Sequence, residues 1–411
     1  MLLLVLGACG RQEAPPAPAA AAAPAPPDAA AVADLGRQIF MDPSLSASGR
    51  MSCASCHSPE HAYGPPNDLA AQLGGPALDQ QGLRAVPSLR YVLNRTPRWS
   101  KQFQADPIER ITETDSVPTG GFARDGRFDT LHDQALSPLL DPREMANVDA
   151  AAVAAKLRRA SYADAFGRVF GPAVLADDQR AVAAMLSALE RFQLDDPSFR
   201  PYSSKFDRHL RGQEELSAQE SRGLRLFVDP NKGNCAACHL AAPGADGSPP
   251  LFTDYSFSAL GAPRNPRLAV NADPRFFDLG LCANPRHGEA ASRTYCGMFK
   301  TPSLRNVATR GVWMHNGVFD DLAIAVRFYA ERDTHAEKWF PPDASGRVHR
   351  FDDLPPEMHD NIDVIDAPLD RKAGDKPALS ESEIQDIVAF LRTLSDADAQ
   401  PAVHVGARES R

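Results

Sequence analysis

Three features are scarce in this 411-residue chain, and each scarcity removes a class of protein. Positive charge is in deficit: 44 Lys and Arg against 53 Asp and Glu give a formal net charge of −9, with no basic block. Nucleic-acid-binding proteins present a basic face, so that class is excluded. Long apolar runs are missing, none approaching the roughly 18 residues of a membrane span. Extended apolar–polar alternation is missing too, which argues against a large sheet. What remains is a chain long enough for two or three domains.

Cysteine is also sparse, yet its seven positions are informative: Cys9, Cys53, Cys56, Cys235, Cys238, Cys282 and Cys296. Cys53, Cys56 and His57 form one Cys-x-x-Cys-His motif, and Cys235, Cys238 and His239 form a second. This is the attachment pattern of c-type haem. A zinc knuckle or redox dithiol would not need the following His, nor a second copy. Two covalently bound c-type haems are therefore expected, with His57 and His239 as the iron ligands on one face. Cys282 and Cys296 remain as a close pair, suited to a disulfide in an oxidising compartment. Cys9 follows the apolar run Leu2–Leu6 and Gly7-Ala8, which reads as a lipoprotein-type signal over residues 1–9 ending at a lipid-modified cysteine, although no Lys or Arg precedes it. Residues 10–33 are an Ala/Pro-rich tether, with six prolines between Pro15 and Pro27. The expected location is the periplasm or outer-membrane surface, with membrane contact only through the lipid anchor.

The folded part carries an internal duplication. Ile39-Phe40-Met41-Asp42-Pro43 precedes the first haem motif and Leu226-Phe227-Val228-Asp229-Pro230 the second. Pro-Ser-Leu-Arg follows each motif, at Pro87–Arg90 and Pro302–Arg305. Next come Asp125-Gly126-Arg127-Phe128-Asp129-Thr130-Leu131 and Asn316-Gly317-Val318-Phe319-Asp320-Asp321-Leu322. The expected domains are thus residues 34–200, with the reactive haem, and 201–411, with the electron-storing haem. Helical patterning dominates: Val182, Leu186, Leu189 and Phe192 repeat with a period near 3.6 after Asp178. Ser217 with Glu220 and Ser380 with Glu383 are capping boxes, the latter opening a helix with Ile384, Ile387, Val388 and Leu391 on one face. The predicted fold class is all-α, two cytochrome c-like haem domains with long loops.

Counting twelve residues from Gly126 reaches Pro138, and twelve from Gly317 reaches Tyr329. If the repeats superimpose, proline leaves the first haem open for chemistry, while a tyrosine oxygen closes the second. Met314 is the rival sixth ligand, and His315 beside it is a third choice. Around the open haem, Gln134 can hydrogen-bond bound oxygen and Glu144 can act as the acid–base group that heterolysis of peroxide requires.

On these residues the sequence resembles the bacterial dihaem cytochrome c peroxidase superfamily, more closely its MauG-like branch, and most closely the MbnH-like enzymes. The resemblance spans both haem motifs, Gln134 to Pro138 with Glu144, Phe299–Asn306, Met314–Gly317, Phe328–Asp333 and Asp370–Pro377. It implies a Tyr ligand at Tyr329 where ordinary members have Met, and a peroxide pocket using Gln134 and Glu144. It also implies that hydrogen peroxide drives a high-valent two-haem state, which oxidises a tryptophan or similar residue of a secreted or periplasmic partner protein, in one branch a partner linked to copper. The alternatives are a peroxidase fed by a small cytochrome or copper protein, and a non-catalytic electron carrier. Two departures stand out. The family has Trp where this chain has Arg124, leaving Trp99 and Trp313 as other charge-relay candidates. The family's interdomain calcium uses an Asn where this chain has Tyr91, with Asn94 nearby, so one structural calcium is an expectation without assigned ligands.

Overall fold

A computed structural model describes residues 27–91, 93–100, 118–244, 246–284 and 293–405. Cys9, the signal and most of the tether lie outside the described residues. Among those described, ten α-helices are joined by long loops and short 3-10 turns. The first half holds α1 (Ala29–Met41), α2 (Cys53–Cys56), α3 (Leu131–Leu140), α4 (Ala150–Leu157), α5 (Ala163–Phe170) and α6 (Asp178–Asp195). The second holds α7 (Lys205–Leu210), α8 (Ala218–Val228), α9 (Leu322–Glu331) and α10 (Glu381–Arg392). Extended structure is limited to two antiparallel pairs, β1 (Leu73–Gly74) with β2 (Gln80–Gln81) and β3 (Phe257–Ser258) with β4 (Phe299–Lys300). The fold is mostly helical, as the patterning predicts.

One boundary moves. The tether was expected to run to residue 33, but α1 already begins at Ala29. The prolines stop at Pro27, the Asp28 carboxylate accepts from the Ala30 N–H, and Val32, Leu35, Ile39 and Phe40 then share a buried face. A capped, Pro-free alanine run is a good helix former.

The same helix pair is built twice. In the first half α1 crosses α6, whose Val182, Leu186, Leu189 and Phe192 are all buried. In the second, α8 crosses α10, which buries Ile384, Ile387, Val388 and Leu391. Each crossing turns on a glycine: a Cβ at Gly36 would lie 1.9 Å from the Ala188 carbonyl oxygen, and one at Gly223 would lie 1.9 Å from that of Asp386. Only the absence of a side chain lets these backbones touch. Matching aromatic pairs flank the contacts, Phe40 with Phe192 at 5.5 Å and Phe227 with Phe390 at 5.3 Å. Both predicted capping boxes close, at Ser217 with Glu220 and at Ser380 with Glu383.

The largest hydrophobic cluster draws its buried residues from Val32 to Phe199, and two others draw theirs from Phe206 onward. The halves nevertheless interlock. Thr119 bridges to Ser256, the Lys300 N–H donates to the Arg124 carbonyl, and Val403 near the C-terminus pairs with Asn67. The carboxylate of Asp396 accepts from Arg90 and Tyr91 of the first half and from Asn306 of the second. Such buried charges hold only when every lone pair finds a donor. No described helix is long and apolar enough to cross a membrane.

Candidate haem-binding and peroxide site

Both Cys-x-x-Cys-His motifs open into one cavity of about 640 Å3, shared by the two halves. Cys53, Cys56, His57, Cys235, Cys238 and His239 all line it. The four thiols are free, and burial pushes each up to about 12. An inert, buried thiol facing a void lined by Phe40, Leu89, Phe122, Leu131, Val326 and Leu391 suits a large apolar group held by thioether links.

The histidines are oriented alike. His57 Nδ1 lies 3.1 Å from the Tyr63 carbonyl oxygen, and His239 Nδ1 lies 2.9 Å from that of Phe252. A carbonyl only accepts, so Nδ1 carries the proton and Nε2 keeps its lone pair for a metal. Tyr63 and Phe252 both adopt the left-handed conformation, with φ of 54° and 53°. Their loops are pinned by the duplicated Pro-Ser-Leu-Arg segments: Ser88 Oγ donates to the Ala62 carbonyl at 2.6 Å, and Ser303 Oγ to that of Leu251 at 2.7 Å. The sequence reading missed Tyr63 and Phe252. His57 and Tyr63 are six residues apart, but His239 and Phe252 are thirteen apart, so no common spacing signals them. Burial pulls both imidazoles below their usual range, His57 to about 4, favouring the neutral ligand form.

The repeat also sets a second cavity-lining side chain in each half. The Phe122 N–H donates to the Phe128 carbonyl at 2.6 Å, and the Trp313 N–H to that of Phe319 at 2.9 Å. Within these tight loops Ala123 and Met314 have φ of 65° and 68°, and Gly126 and Gly317 have φ of 63° and 64°. The following helices start in register, α3 capped by Thr130 and α9 by Asp321. Pro138 is therefore the eighth residue of α3 and Tyr329 the eighth of α9, and both line the cavity. The Tyr329 phenol is raised by burial and by the neighbouring Cys238 and Cys235 thiols, which sets it beside the second haem motif. Met314 and His315 line the same cavity. His315 stacks on Phe299 with ring centroids 3.7 Å apart, and its Nε2 lies 3.6 Å from Asp353.

Gln134 and Glu144 also line the cavity, on the side of the first motif. Glu144 sits just past α3, where the Gly75 N–H donates to its carbonyl at 2.8 Å and ties its loop to the β1–β2 hairpin. Burial raises its carboxyl to about 7, and the Asp141 carboxylate adds to the rise while Arg127 opposes it. The residue itself is among the exposed ones. A carboxyl poised near neutrality can both accept and return a proton.

Of the relay candidates, Trp313 reaches the cavity wall and Trp99 does not. Cys282 and Cys296 are joined as a disulfide. The residues at the expected calcium position do not fit a cation. The hydroxyl of Tyr91 donates to Asp396, and the Arg305 guanidinium lies 5.0 Å from the Tyr91 ring and 5.1 Å from that of Tyr202. A fixed guanidinium there would repel calcium, and both Asp396 oxygens already accept donors.

Residues 30–215 match the family model described as di-haem cytochrome c peroxidase. The methylamine utilization protein MauG of Paracoccus denitrificans is 34% identical over 381 residues, covering 90% of each chain. The solved structure of the diheme peroxidase BthA from Burkholderia thailandensis aligns with a TM-score of 0.80 at 40% identity, over 91% of this chain and 87% of that one. A MauG-like protein associated with microbial copper homeostasis aligns with a TM-score of 0.60 over 93% and 96% of the two chains, but at 23% identity it shares the fold alone. Identity is higher to BthA and to MauG than to this copper-associated protein. With paired haem motifs, one shared cavity and these relatives, the chain belongs to the di-haem cytochrome c peroxidase family that includes MauG, a family of peroxide-dependent di-haem oxidoreductases.

Proposed function

We propose that this chain uses hydrogen peroxide to oxidise a tryptophan, or a similar residue, on a partner protein in the periplasm or at the outer-membrane surface, where Cys9 carries a lipid anchor. The observation that carries the reading is the mismatch of two register-equivalent residues, Pro138 on α3 and Tyr329 on α9, in one shared cavity. Haem bound through Cys53 and Cys56, and through Cys235 and Cys238, supplies the redox chemistry with peroxide. His57 and His239 would hold the irons, each with Nε2 left free by its Nδ1 contact to a carbonyl. Pro138 has no donor atom, so it leaves the first haem open to peroxide. Tyr329 would be the second ligand of the other haem, and an anionic oxygen there would favour a more oxidised iron. Glu144 moves a proton from one peroxide oxygen to the other as the O–O bond breaks and water leaves, while the Gln134 amide positions the bound oxygen. Two electrons and two protons from the partner residue would complete the balance, so that the second peroxide oxygen also leaves as water. A copper-binding partner is the narrower form of this proposal.

A second reading, a peroxidase fed by a small electron-carrier protein, is favoured by one observation: Met314 lines the same cavity as Tyr329. A thioether ligand there would give an ordinary electron-accepting haem. The test is to mix fully ferric holoprotein with one equivalent of hydrogen peroxide and follow the absorbance. A rapid, lasting change that is lost in Tyr329→Met and kept in Met314→Leu supports the first reading. No reaction until one haem is pre-reduced, with the reverse dependence on the two variants, supports the second.

A further inference from the structure

Three cations line the shared cavity with no carboxylate partner among the described residues: Arg124 from the first half, and Lys300 and Arg310 from the second. Among the described residues, their hydrogen bonds go to carbonyl oxygens. Arg124 Nε donates to the Ala85 carbonyl at 2.8 Å, and Arg310 Nη2 donates to the adjacent Val86 carbonyl at 2.9 Å. Arg310 Nε reaches the Val312 carbonyl at 3.3 Å, and Lys300 Nζ donates to the Gly121 carbonyl. The two guanidiniums, one from each half, thus grip consecutive peptide groups leading into Pro87 of the first haem domain.

The nearest acids are already committed. Asp278 takes a bidentate contact from Arg84 at 2.6 and 2.7 Å. Asp125 accepts from Arg84 at 2.8 Å and from Arg127. This leaves an excess of cations, in a place where charged groups are almost always paired. Burial accordingly pulls Arg124 down to about 9, with Arg310 and Arg84 adding to it. Burial alone takes Arg310 to about 10. Lys300 falls to about 8 through burial, with the Asp125 carboxylate opposing the fall and Arg124 adding to it. Guanidinium does not give up its proton in proteins. The balance has to come from an anion entering the cavity.

We infer that Arg124, Arg310 and Lys300 form a carboxylate-binding wall for haem propionates, built from both halves. The inference rests on the reading that two haems fill the cavity, because the propionates are the carboxylates those groups bring. Arg124 and Arg310 are positioning residues on this account. Their positive charge also favours the reduced iron, so the wall sets a haem potential as well as its seat.

The test is spectroelectrochemical titration of the haem-loaded protein, with haem content measured alongside. Arg124→Leu and Arg310→Leu, each with two haems per chain, should shift one haem's equilibrium against reduction by about tenfold, about 59 mV for a one-electron couple. Arg124→Lys keeps the charge and should stay within about threefold of the parent. Potentials unchanged in both leucine variants would overturn the assignment. A leucine variant that loses haem is judged by Arg124→Lys: restored loading supports the wall, and continued loss rejects charge as the cause. A parent potential that moves with added formate would mean that a dissolved carboxylate occupies the wall, which also rejects it. A parent protein with fewer than two haems per chain would instead undo the cavity reading itself.

Discussion

The two halves share a scaffold and differ where they face the cavity. Both cross two helices on a glycine, at Gly36 and Gly223. Both hold an imidazole on a left-handed residue's carbonyl, at Tyr63 and Phe252. Both pin that loop with a serine, at Ser88 and Ser303. At a constant offset of 191 residues the cavity-facing positions diverge: Pro138 against Tyr329, Ala123 against Met314, Arg124 against His315. Glu144 lines the cavity, while its counterpart by the same count, His335, does not and instead contacts Thr334. Packing constrains the scaffold residues in both copies, because a backbone contact at a glycine tolerates no other side chain. The cavity wall is free of that constraint, so the copies can part in function without parting in fold.

The comparison can be broken most severely at α3. Pro138→Tyr gives the first half the second half's side chain and is expected to abolish the peroxide-driven absorbance change in rapid mixing; an unchanged rate would dissolve the proposed division between an open and a closed haem. Next in size, Glu144→Gln should slow that reaction by about 10²–10⁴-fold. Because burial holds the Glu144 carboxyl up to about 7, its basic form is gained as pH rises through that value. The parent rate should therefore climb from pH 6 to pH 8, on the order of tenfold, and the Glu144→Gln profile should be flat. A flat parent profile would count against Glu144 as the base.

Smaller effects sharpen the shared part. Gly36→Ala and Gly223→Ala should each cost about 1–3 kcal/mol by overpacking, read from denaturant midpoints of the holoprotein. Tolerance at one site only would mean that the two crossings are not equivalent. Smallest, Ser217→Ala and Ser380→Ala should each cost about 1 kcal/mol by losing a helix cap. Both caps belong to the second half's helix pair, so a change in the first half's peroxide reaction would expose coupling between the halves.

Local sequence patterns carried much of this. The haem motifs need cysteine and histidine at fixed spacing on one turn, and capping boxes need Ser and Glu three apart, so both are visible without a fold. The duplicated blocks before and after the motifs exposed the register that pairs Pro138 with Tyr329. The tether boundary failed because composition blurred a helix whose cap, Asp28, and apolar face only show once α6 is there to receive them. The carbonyl acceptors for His57 and His239 escaped because loops of unequal length converge on the same contact. Arg124 was visible as a departure, but its meeting with Arg310 and Lys300 was not.

By itself, then, the sequence determined the paired haem-attachment motifs and the helical class, which depend on neighbours a few positions apart, and the duplicated blocks, from whose register the residues proposed for each iron were read. Tertiary structure alone decided that both motifs share one cavity, that the surroundings of Glu144 raise its carboxyl to about 7, that Tyr91 meets Asp396 and Arg305 at the supposed calcium position, and that three cations line the cavity with no salt bridge among the described residues. Those outcomes depend on which distant segments exclude water from a charge, and burial is a property of the packed chain that no short run of residues encodes.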